Sequence, residues 1–582
     1  MPHRAPLVMI GLDAFEGSIL EQLLAAGELP HIARLRRQGR IARLEHGISA
    51  TVGGVWREFL SGRAVWDHGL YFRKLWNPTR GRIDPSEPTR RELPPFWTAL
   101  TRAGGRVVSI DVPHASPPGD GSEDIFLGGW QTHDEHPQRA YPEQLWADLE
   151  RRFGPPRLGP ERYGPQTAES LLRVRDETLA AIGQIADIGA WLLGREPFDL
   201  FLLVIGGPHR AGHYLWDLGQ IDPPEPGSAT GSRLRGALHE VYVACDRAVG
   251  RLMAAAPDDA RVGLFALHGM KSSWGWTERF AEILRLLHDG GGGAGAFSPG
   301  PRDRFRQLLR SPVGLAGTRL LPRALLRPLA GLWTSRMHDW SRTRFFALPS
   351  ELGGCVRVNL AGREAQGIVQ PGTEYRDLLD RLTGQLLDLR DLETDAPIVA
   401  AVDRIERLVP PDAPARALLP DLAVTWADAP TFTDSVGVRA PGRGELRWQR
   451  GRRLESGRSG NHAPDGWLIA AGPGITARDD ALTASPLDLV PAICHALGAV
   501  PPSGGRTFPA LLGPPPGPRD RIARDPPTMA PAAAERRRIR TVHETQERQR
   551  QEIDEADRRQ LQDQPAPLRA DRVGKRAGHG GG

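Results

Sequence analysis

Cysteine, lysine and long hydrophobic runs are scarce in this sequence of 582 residues. The three cysteines, Cys245, Cys355 and Cys494, lie far apart and form no CxxC pair, so neither a disulfide framework nor a thiolate zinc site is indicated. No run of about 18 apolar residues occurs, and the first residues contain no apolar segment of the length that signal peptides have. These absences predict a soluble, cytoplasmic protein that does not associate with a membrane.

Lysine occurs only three times, so nearly all of the 75 basic residues are arginines. They stand against 70 acidic residues and give a formal net charge of +5. The arginines are scattered along the chain and form no basic stripe, which argues against nucleic-acid binding. A basic pocket for an anionic substrate remains compatible with this composition.

Short apolar runs bounded by turn residues recur along the chain, with helical patterns between several of them. They are APLVMIGLD, RVVSIDVPH, DLFLLVIGG, RVGLFALHG, CVRVNLAG, DLAVTW and GWLIAAGPG. Buried strands that alternate with helices indicate an α/β layer architecture with a largely parallel central sheet. Ligands of such sheets usually bind beyond the carboxyl ends of the strands.

The pattern divides the chain into two parts. Residues 1–515 are predicted to form one domain, in which the Gly-rich and Arg-rich stretch at about 285–340 is an insertion of the kind that can serve as a lid. Residues 516–582 combine a Pro-rich linker with a charged segment that has few apolar anchors, which predicts a partly helical or disordered tail. A contact between the tail and a partner protein is the alternative interpretation.

Polar residues that can bind a metal stand at four strand ends. Asp13 follows VMIGL, His209 and His213 follow LFLLVIGG, His268 follows GLFAL, and His462 precedes a strand-like run. A single histidine after a strand is usually a capping or surface residue. The joint placement of five such residues favours a metal site over that explanation.

The order of these pieces resembles the type I nucleotide pyrophosphatase/phosphodiesterase family of the alkaline phosphatase superfamily, over roughly residues 6–513. The matching segments are IGLDAFEG, ISATVGGVWREFLSGRAVWDHGL, HRAGH, LHGM and NHAPDGWLIAAGPGI. Each segment alone is a weak signal, and their combination is specific. The resemblance implies an alkaline-phosphatase-like three-layer α/β sandwich with an inserted subdomain.

The resemblance also implies a reaction, a nucleophile and a set of metal ligands. Thr51 would attack phosphorus in two-step phosphoryl or nucleotidyl transfer, with Ser49 as the alternative nucleophile. The Pro and Asn that usually follow the nucleophile in the family are absent here, and Gly53 and Gly54 could instead offer their N–H groups to a phosphate. The substrate would be a small phosphate ester, and the cofactor would be zinc, as one or two divalent ions. The implied metal ligands are Asp13, Thr51, His209, His213, His268 and His462.

The sequence departs from the family pattern at two ligand positions. His209 stands where the family usually has Asp, and with His213 and His462 it could form a three-histidine site with one open coordination position. Leu267 stands where the family has a metal-binding Asp, and leucine cannot bind a metal. This leaves the second cation with few ligands unless Glu45, His46 or Asp465 takes part, so the site is expected to hold one zinc or two.

Two interpretations of function follow from these residues. The first is a metal-dependent hydrolase of phosphate esters, acting on phosphodiester or nucleotide pyrophosphate bonds. The alternative is a catalytically impaired or non-enzymatic member of the family that keeps the fold for binding or assembly. A sulfatase is disfavoured, because the Cys-x-Pro-x-Arg signature of formylglycine enzymes is absent.

Overall fold

The computed structural model describes residues 5–47, 49, 53–85, 93–119, 121–131, 138–161, 164, 166–220, 228–288, 340–350, 353–432, 434–450, 454–502 and 509–513. None of the helices in these ranges is both long enough and apolar enough to cross a membrane. The predicted insertion lies almost wholly at residues 289–339, outside the described residues. The predicted tail, residues 516–582, also lies outside them. The predicted domain boundaries therefore stay predictions.

The described residues form short strands, most of them of four to six residues. In chain order the strands are β1 (Leu7–Leu12), β2 (Gly39–Leu44), β3 (Lys74–Asn77), β4 (Arg82–Pro85), β5 (Val107–Ile110), β6 (Ile125–Gly128), β7 (Arg139–Tyr141), β8 (Leu200–Ile205), β9 (Arg261–Ala266), β10 (Gly269–Ser272), β11 (Phe345–Leu348), β12 (Gly354–Val358), β13 (Arg390–Asp391), β14 (Val399–Arg404), β15 (Leu422–Trp426), β16 (Gly437–Ala440), β17 (Gly444–Arg447), β18 (Gly460–Ala463), β19 (Gly466–Ala471) and β20 (Arg478–Ala484).

Helices connect many of these strands. In chain order they are α1 (Gly17–Ala25), α2 (Pro30–Gln38), α3 (Val55–Ser61), α4 (Val65–His68), α5 (Thr98–Arg102), α6 (Gln144–Phe153), α7 (Ala168–Leu193), α8 (Gly207–Leu215), α9 (Ala229–Arg235), α10 (Ala237–Ala255), α11 (Trp276–Leu286), α12 (Thr373–Leu387), α13 (Ile405–Leu408), α14 (Pro486–Ala496) and α15 (Pro509–Leu512). Two single 3₁₀ turns lie at Leu218–Gln220 and Arg416–Leu418.

The central sheet has nine strands in the order β20-β2-β19-β9-β1-β8-β5-β6-β7. Its middle pairs, β9 with β1, β1 with β8, and β8 with β5, are all parallel. The antiparallel strands are β19, which lies between β2 and β9, and the edge strand β7. The predicted largely parallel sheet is confirmed.

Alternate residues of the central strands pack on opposite faces of this sheet. In β1, Val8 and Ile10 belong to an apolar cluster shared with α2, α7 and α10, whereas Leu7 and Met9 belong to a cluster shared with α3 and α14. A strand presents successive side chains to opposite faces, so both faces need an apolar cover, and the helices supply it. The predicted three-layer α/β architecture is therefore confirmed.

A second group of strands lies in sequence between β10 and β18. It consists of a four-stranded antiparallel sheet, β11-β12-β15-β14, and a three-stranded sheet, β13-β16-β17, which share a core with α11 and α12. The runs CVRVNLAG and DLAVTW were expected to contribute to the central parallel sheet, and they form β12 and β15 of this separate sheet. A short apolar run marks a buried strand without indicating which sheet contains it.

Candidate metal centre

The central parallel strands bring their carboxyl ends to one edge of the sheet. Asp13 directly follows β1, α8 follows β8 after the single residue Gly206, and His268 lies two residues beyond β9. Since β8, β1 and β9 are neighbours, these three segments meet at the same place. The predicted gathering of strand-end polar residues is therefore found in the structure.

Helix α8 presents two histidines on one face. His209 and His213 are four residues apart, one helical turn, and their ring centroids are 4.6 Å apart. Pro208 lies in the first turn, where the absence of its N–H costs nothing. Both imidazoles are buried, His209 at 5% exposure and His213 at 1%. The alternative, that these histidines lie on an exposed helix surface, is therefore excluded. Buried imidazoles need polar partners.

His462 comes from the antiparallel ribbon of β10 and β18, where it pairs with Met270. The ribbon lies very close to α8, because a Cβ on Gly460 would stand only 2.0 Å from the carbonyl oxygen of Gly212. This approach allows Nδ1–H of His213 to donate to the carbonyl oxygen of Gly460 at 2.9 Å. A carbonyl only accepts, so the bond fixes the proton on Nδ1 and leaves Nε2 as the ligand atom.

The three histidines converge on one point. Nε2 of His209 is 2.9 Å from Nε2 of His462, and the ligand atoms of His209, His213 and His462 all lie within 4.8 Å of one another. Nitrogens bound to zinc at about 2.05 Å in tetrahedral geometry lie about 3.3 Å apart, so small side-chain rotations suffice to fit the ion. Among the described residues, these three histidines form the one cluster of this kind.

Replacing Gly460 by alanine is expected to weaken this arrangement. The added methyl group would force β18 away from α8 and cost about 1–3 kcal/mol of stability, as overpacking usually does. A melting temperature several degrees below that of the parent, with weaker zinc retention, is the expected measurement. Gly384→Ala is the matched control, since a Cβ there meets nothing within 4 Å. Equal melting temperatures for Gly460→Ala and the parent would contradict the close approach.

Asp13 lies beside the cluster, buried at 3% exposure. Its Oδ2 is 3.9 Å from Nδ1 of His209, and its Oδ1 is 3.4 Å from Nε2 of His268. The indole N–H of Trp56, on α3, donates to Oδ1 at 2.8 Å. The carboxylate therefore contacts two imidazoles and an indole, and the ring of His268 lies at a centroid distance of 4.5 Å from that of His462, tilted by 42°.

Leu267, at the position of the missing aspartate, is fully buried. It continues the alternation of β9 and packs with Phe265, Trp56 and Phe59 in the apolar cluster on the α3 face. Its carbonyl oxygen accepts a hydrogen bond from Nε2–H of His46. Burial lowers the pKa of His46 to about 4, so this imidazole is neutral near pH 7.

The other two residues considered as substitute ligands face solvent. Glu45 and Asp465 each pair with Arg43, at 3.7 Å and 2.9 Å, and the side chains of all three are more than half exposed. Neither belongs to the histidine cluster. The suggestion that Glu45, His46 or Asp465 completes a second cation site gains no support from their positions.

The segment that carries the predicted nucleophile is described only in part. Thr51 lies outside the described residues, whereas Ser49 is buried, with its Oγ 3.5 Å from Nδ1 of His46. The hydroxyl of Ser49 donates to the carboxyl group of Glu58. The N–H of Gly53 donates to the carbonyl of Ser49 at 2.9 Å. It is therefore not available to a phosphate, contrary to the expectation from the sequence.

Glu58 is a buried carboxyl group that sequence patterns did not single out. It is 2% exposed, and its Oε1 accepts from the N–H of Val65 at 2.7 Å. Burial raises the pKa of Glu58 from 4.5 to about 7, against the lowering effect of its hydrogen bonds from Ser49 and Val65. The folded chain thus holds a proton that the unfolded chain releases at lower pH.

Glu58→Gln is expected to change the pH dependence of stability. The neutral carboxyl of Glu58 contributes fully below about pH 4.5, and its contribution is lost as the pH rises to about 7, by an amount on the order of 3 kcal/mol. Between about pH 4.5 and pH 7, the free energy of unfolding of Glu58→Gln should therefore rise relative to that of the parent. Urea unfolding of both chains at about pH 5 and pH 8 measures this. A difference that stays constant with pH would refute it.

Sequence reasoning also missed a buried ion cluster behind the histidines. Arg210 on α8 and Arg458 just before β18 both pair with Glu161, the former at 3.5 Å. Arg210 also donates to the carbonyl of Gly159 at 3.0 Å. The cluster ties the segment of His209 and His213 to that of His462. Arginine is so frequent in this chain that no pattern marked these two.

Comparison with known proteins gives a family match for this chain. The sequence profile described as "Type I phosphodiesterase / nucleotide pyrophosphatase" matches residues 7–322, more than half of the chain. No curated protein matches the chain.

Several solved structures are similar over most of their length. The phosphonoacetate hydrolase of Sinorhizobium meliloti 1021, in complex with phosphonoformate, is 14% identical, with 85% of this chain and 96% of that chain covered and a TM-score of 0.45. Human ectonucleotide pyrophosphatase/phosphodiesterase 5 is 12% identical, with 87% and 99% covered and a TM-score of 0.44. By the match over residues 7–322, this chain belongs to the type I phosphodiesterase/nucleotide pyrophosphatase family.

Proposed function

We propose that this chain is a zinc-dependent hydrolase of phosphate esters that cleaves phosphodiester or nucleotide pyrophosphate bonds. One observation carries the proposal: His209, His213 and His462 converge within 4.8 Å beside Asp13 and His268, in a chain of this family. Three histidines with an open fourth position are a ligand set of catalytic zinc sites. The substrate class is a small phosphate ester.

The donor set suits a divalent cation of the zinc type. Imidazole nitrogens of intermediate softness favour zinc over magnesium or calcium, which prefer oxygen ligands. The bond from Nδ1 of His213 to Gly460 is the outer-shell partner that metal-binding histidines usually have. When bound, such an ion polarises a phosphoryl oxygen and lowers the pKa of a coordinated hydroxyl group.

The chain's own residues supply the remaining functions. Thr51, which lies outside the described residues, is proposed as the nucleophile: its oxygen bonds to phosphorus as the bond from phosphorus to the leaving alcohol or phosphate breaks. Water then attacks phosphorus, breaks the bond to Thr51 and releases the phosphoryl product. Ser49 is the less favoured alternative, because its hydroxyl is buried and bonded to Glu58. Asp13 contacts His268 at 3.4 Å and His209 at 3.9 Å, and its proposed role is to orient these two imidazoles.

Turnover of an aryl phosphodiester such as bis(p-nitrophenyl) phosphate tests the proposal. The full chain, purified without chelator and supplied with zinc, is expected to release p-nitrophenol, and a chelator should abolish the release until zinc is restored. The alternative is a non-catalytic family member, and zinc retention without turnover of phosphodiester or nucleotide pyrophosphate substrates would favour it.

A further inference from the structure

We propose that this chain binds a single divalent cation, through His209, His213 and His462, and that Asp13 and His268, which contact each other at 3.4 Å, remain outside its coordination shell. The inference rests on the proposed function, since it concerns the same site. It departs from the two-cation site that the family resemblance implies.

Position 267 offers no side-chain ligand to a second cation. Leu267 is fully buried in the apolar cluster that also contains Phe265, Trp56 and Phe59. The face of β9 that carries this side chain is therefore apolar. The carbonyl oxygen of Leu267 already accepts from His46, so the backbone of this residue is also engaged. A cation next to this side chain would contact apolar groups only on that side, and placing a charge in apolar surroundings is strongly unfavourable.

Asp13 already has partners for its side chain. Its Oδ1 accepts from the indole of Trp56 at 2.8 Å and faces His268 at 3.4 Å. These contacts hold the carboxylate in its buried place without a cation. An indole N–H is a donor only, so Trp56 cannot bind a metal, and its bond already engages Oδ1 of Asp13.

A second cation would find few protein ligands and little negative charge. Away from the three-histidine cluster, the described residues leave Asp13 and His268, fewer than the three protein ligands of a catalytic zinc site. Thr51 would add only one hydroxyl group. Of the five predicted ligands that the structure describes, Asp13 alone is an anion. One negative charge is a poor match for two dications about 4 Å apart.

Metal stoichiometry tests the inference. The full chain is equilibrated with excess zinc and desalted, and zinc per chain is then measured by elemental analysis, with cobalt(II) absorbance titration as a second readout. We expect one equivalent in both measurements. Asp13→Asn should also retain one equivalent at saturating zinc. Two equivalents in the parent, a loss on Asp13→Asn, or no bound metal would each overturn the inference.

Leu267→Asp, with Leu267→Asn as its uncharged match, tests whether the second site can be restored. We expect one equivalent in both variants and a lower melting temperature than in the parent. A gain to two equivalents in Leu267→Asp alone would overturn the inference. If neither variant folds, the parent and Asp13→Asn still decide.

These outcomes are separate from those that test the function. One zinc per chain without phosphodiester turnover would contradict the proposed function and support the single-cation site. Two zinc ions per chain with turnover would do the reverse.

Discussion

Replacing His213 by alanine is expected to abolish metal retention and phosphodiester turnover together. A structural zinc site contributes about 10–16 kcal/mol through four ligands, so each ligand accounts for about 2.5–4 kcal/mol. Losing one of three histidines should weaken zinc binding by at least about 100-fold. The variant also loses the bond to Gly460 and should melt slightly lower, because a buried hydrogen bond contributes about 1 kcal/mol. Elemental analysis after desalting measures the effect.

His239→Ala is the control for this substitution. His239 lies on α10, is about half exposed and pairs with Glu28 at 2.6 Å. Its removal should change neither zinc content nor turnover. Full zinc content in His213→Ala would show that the ion, if bound, lies elsewhere than between α8 and β18.

Thr51→Ala is expected to reduce phosphodiester turnover by at least about 1,000-fold, since removing a covalent nucleophile leaves only the catalysis of the remaining site. Zinc content and melting temperature should stay close to those of the parent, because the substitution removes one hydroxyl and one methyl group. Steady-state turnover of bis(p-nitrophenyl) phosphate at equal zinc occupancy measures it.

Ser49→Ala provides the comparison for the nucleophile. Ser49 donates to buried Glu58 and lies near His46, so its loss should lower stability by about 1 kcal/mol and turnover by about tenfold or less. The reverse order, with Ser49→Ala inactive and Thr51→Ala active, would assign the nucleophile to Ser49. Full activity in both variants would contradict nucleophilic catalysis from this segment.

The sequence predicted the centre of the fold well, because the end of a strand can be recognised from a few neighbouring residues. Runs such as VMIGL and LFLLVI are buried and short, and the polar residue after each one lies at the carboxyl edge whatever the order of the strands. The pair His209 and His213 needed only the helical repeat of 3.6 residues to be placed on one face. These features require no knowledge of distant contacts.

The remainder depended on contacts between distant parts of the chain. The sequence identified Leu267 as a departure from the family, but its burial in one cluster with Trp56 and Phe59 depends on packing between distant segments. The bond from Trp56 to Asp13 joins residues 43 positions apart, and a tryptophan in a helix indicates only a core residue. The strands β12 and β15 were recognised as strands, and their place in a second sheet was not.

The ribbon of β10 and β18 has a consequence for how the chain reaches its native state. His209 and His462 are 253 residues apart, and the second group of strands lies in sequence between the two strands of the ribbon. Closing so long a loop is entropically unfavourable, and contacts of this separation slow folding. The histidine cluster can assemble only after α8 and β18 have met, which makes metal capture a late event in folding. A bound ion would then act as a cross-link between α8 and β18 that slows unfolding of the native chain more than it changes the folding rate.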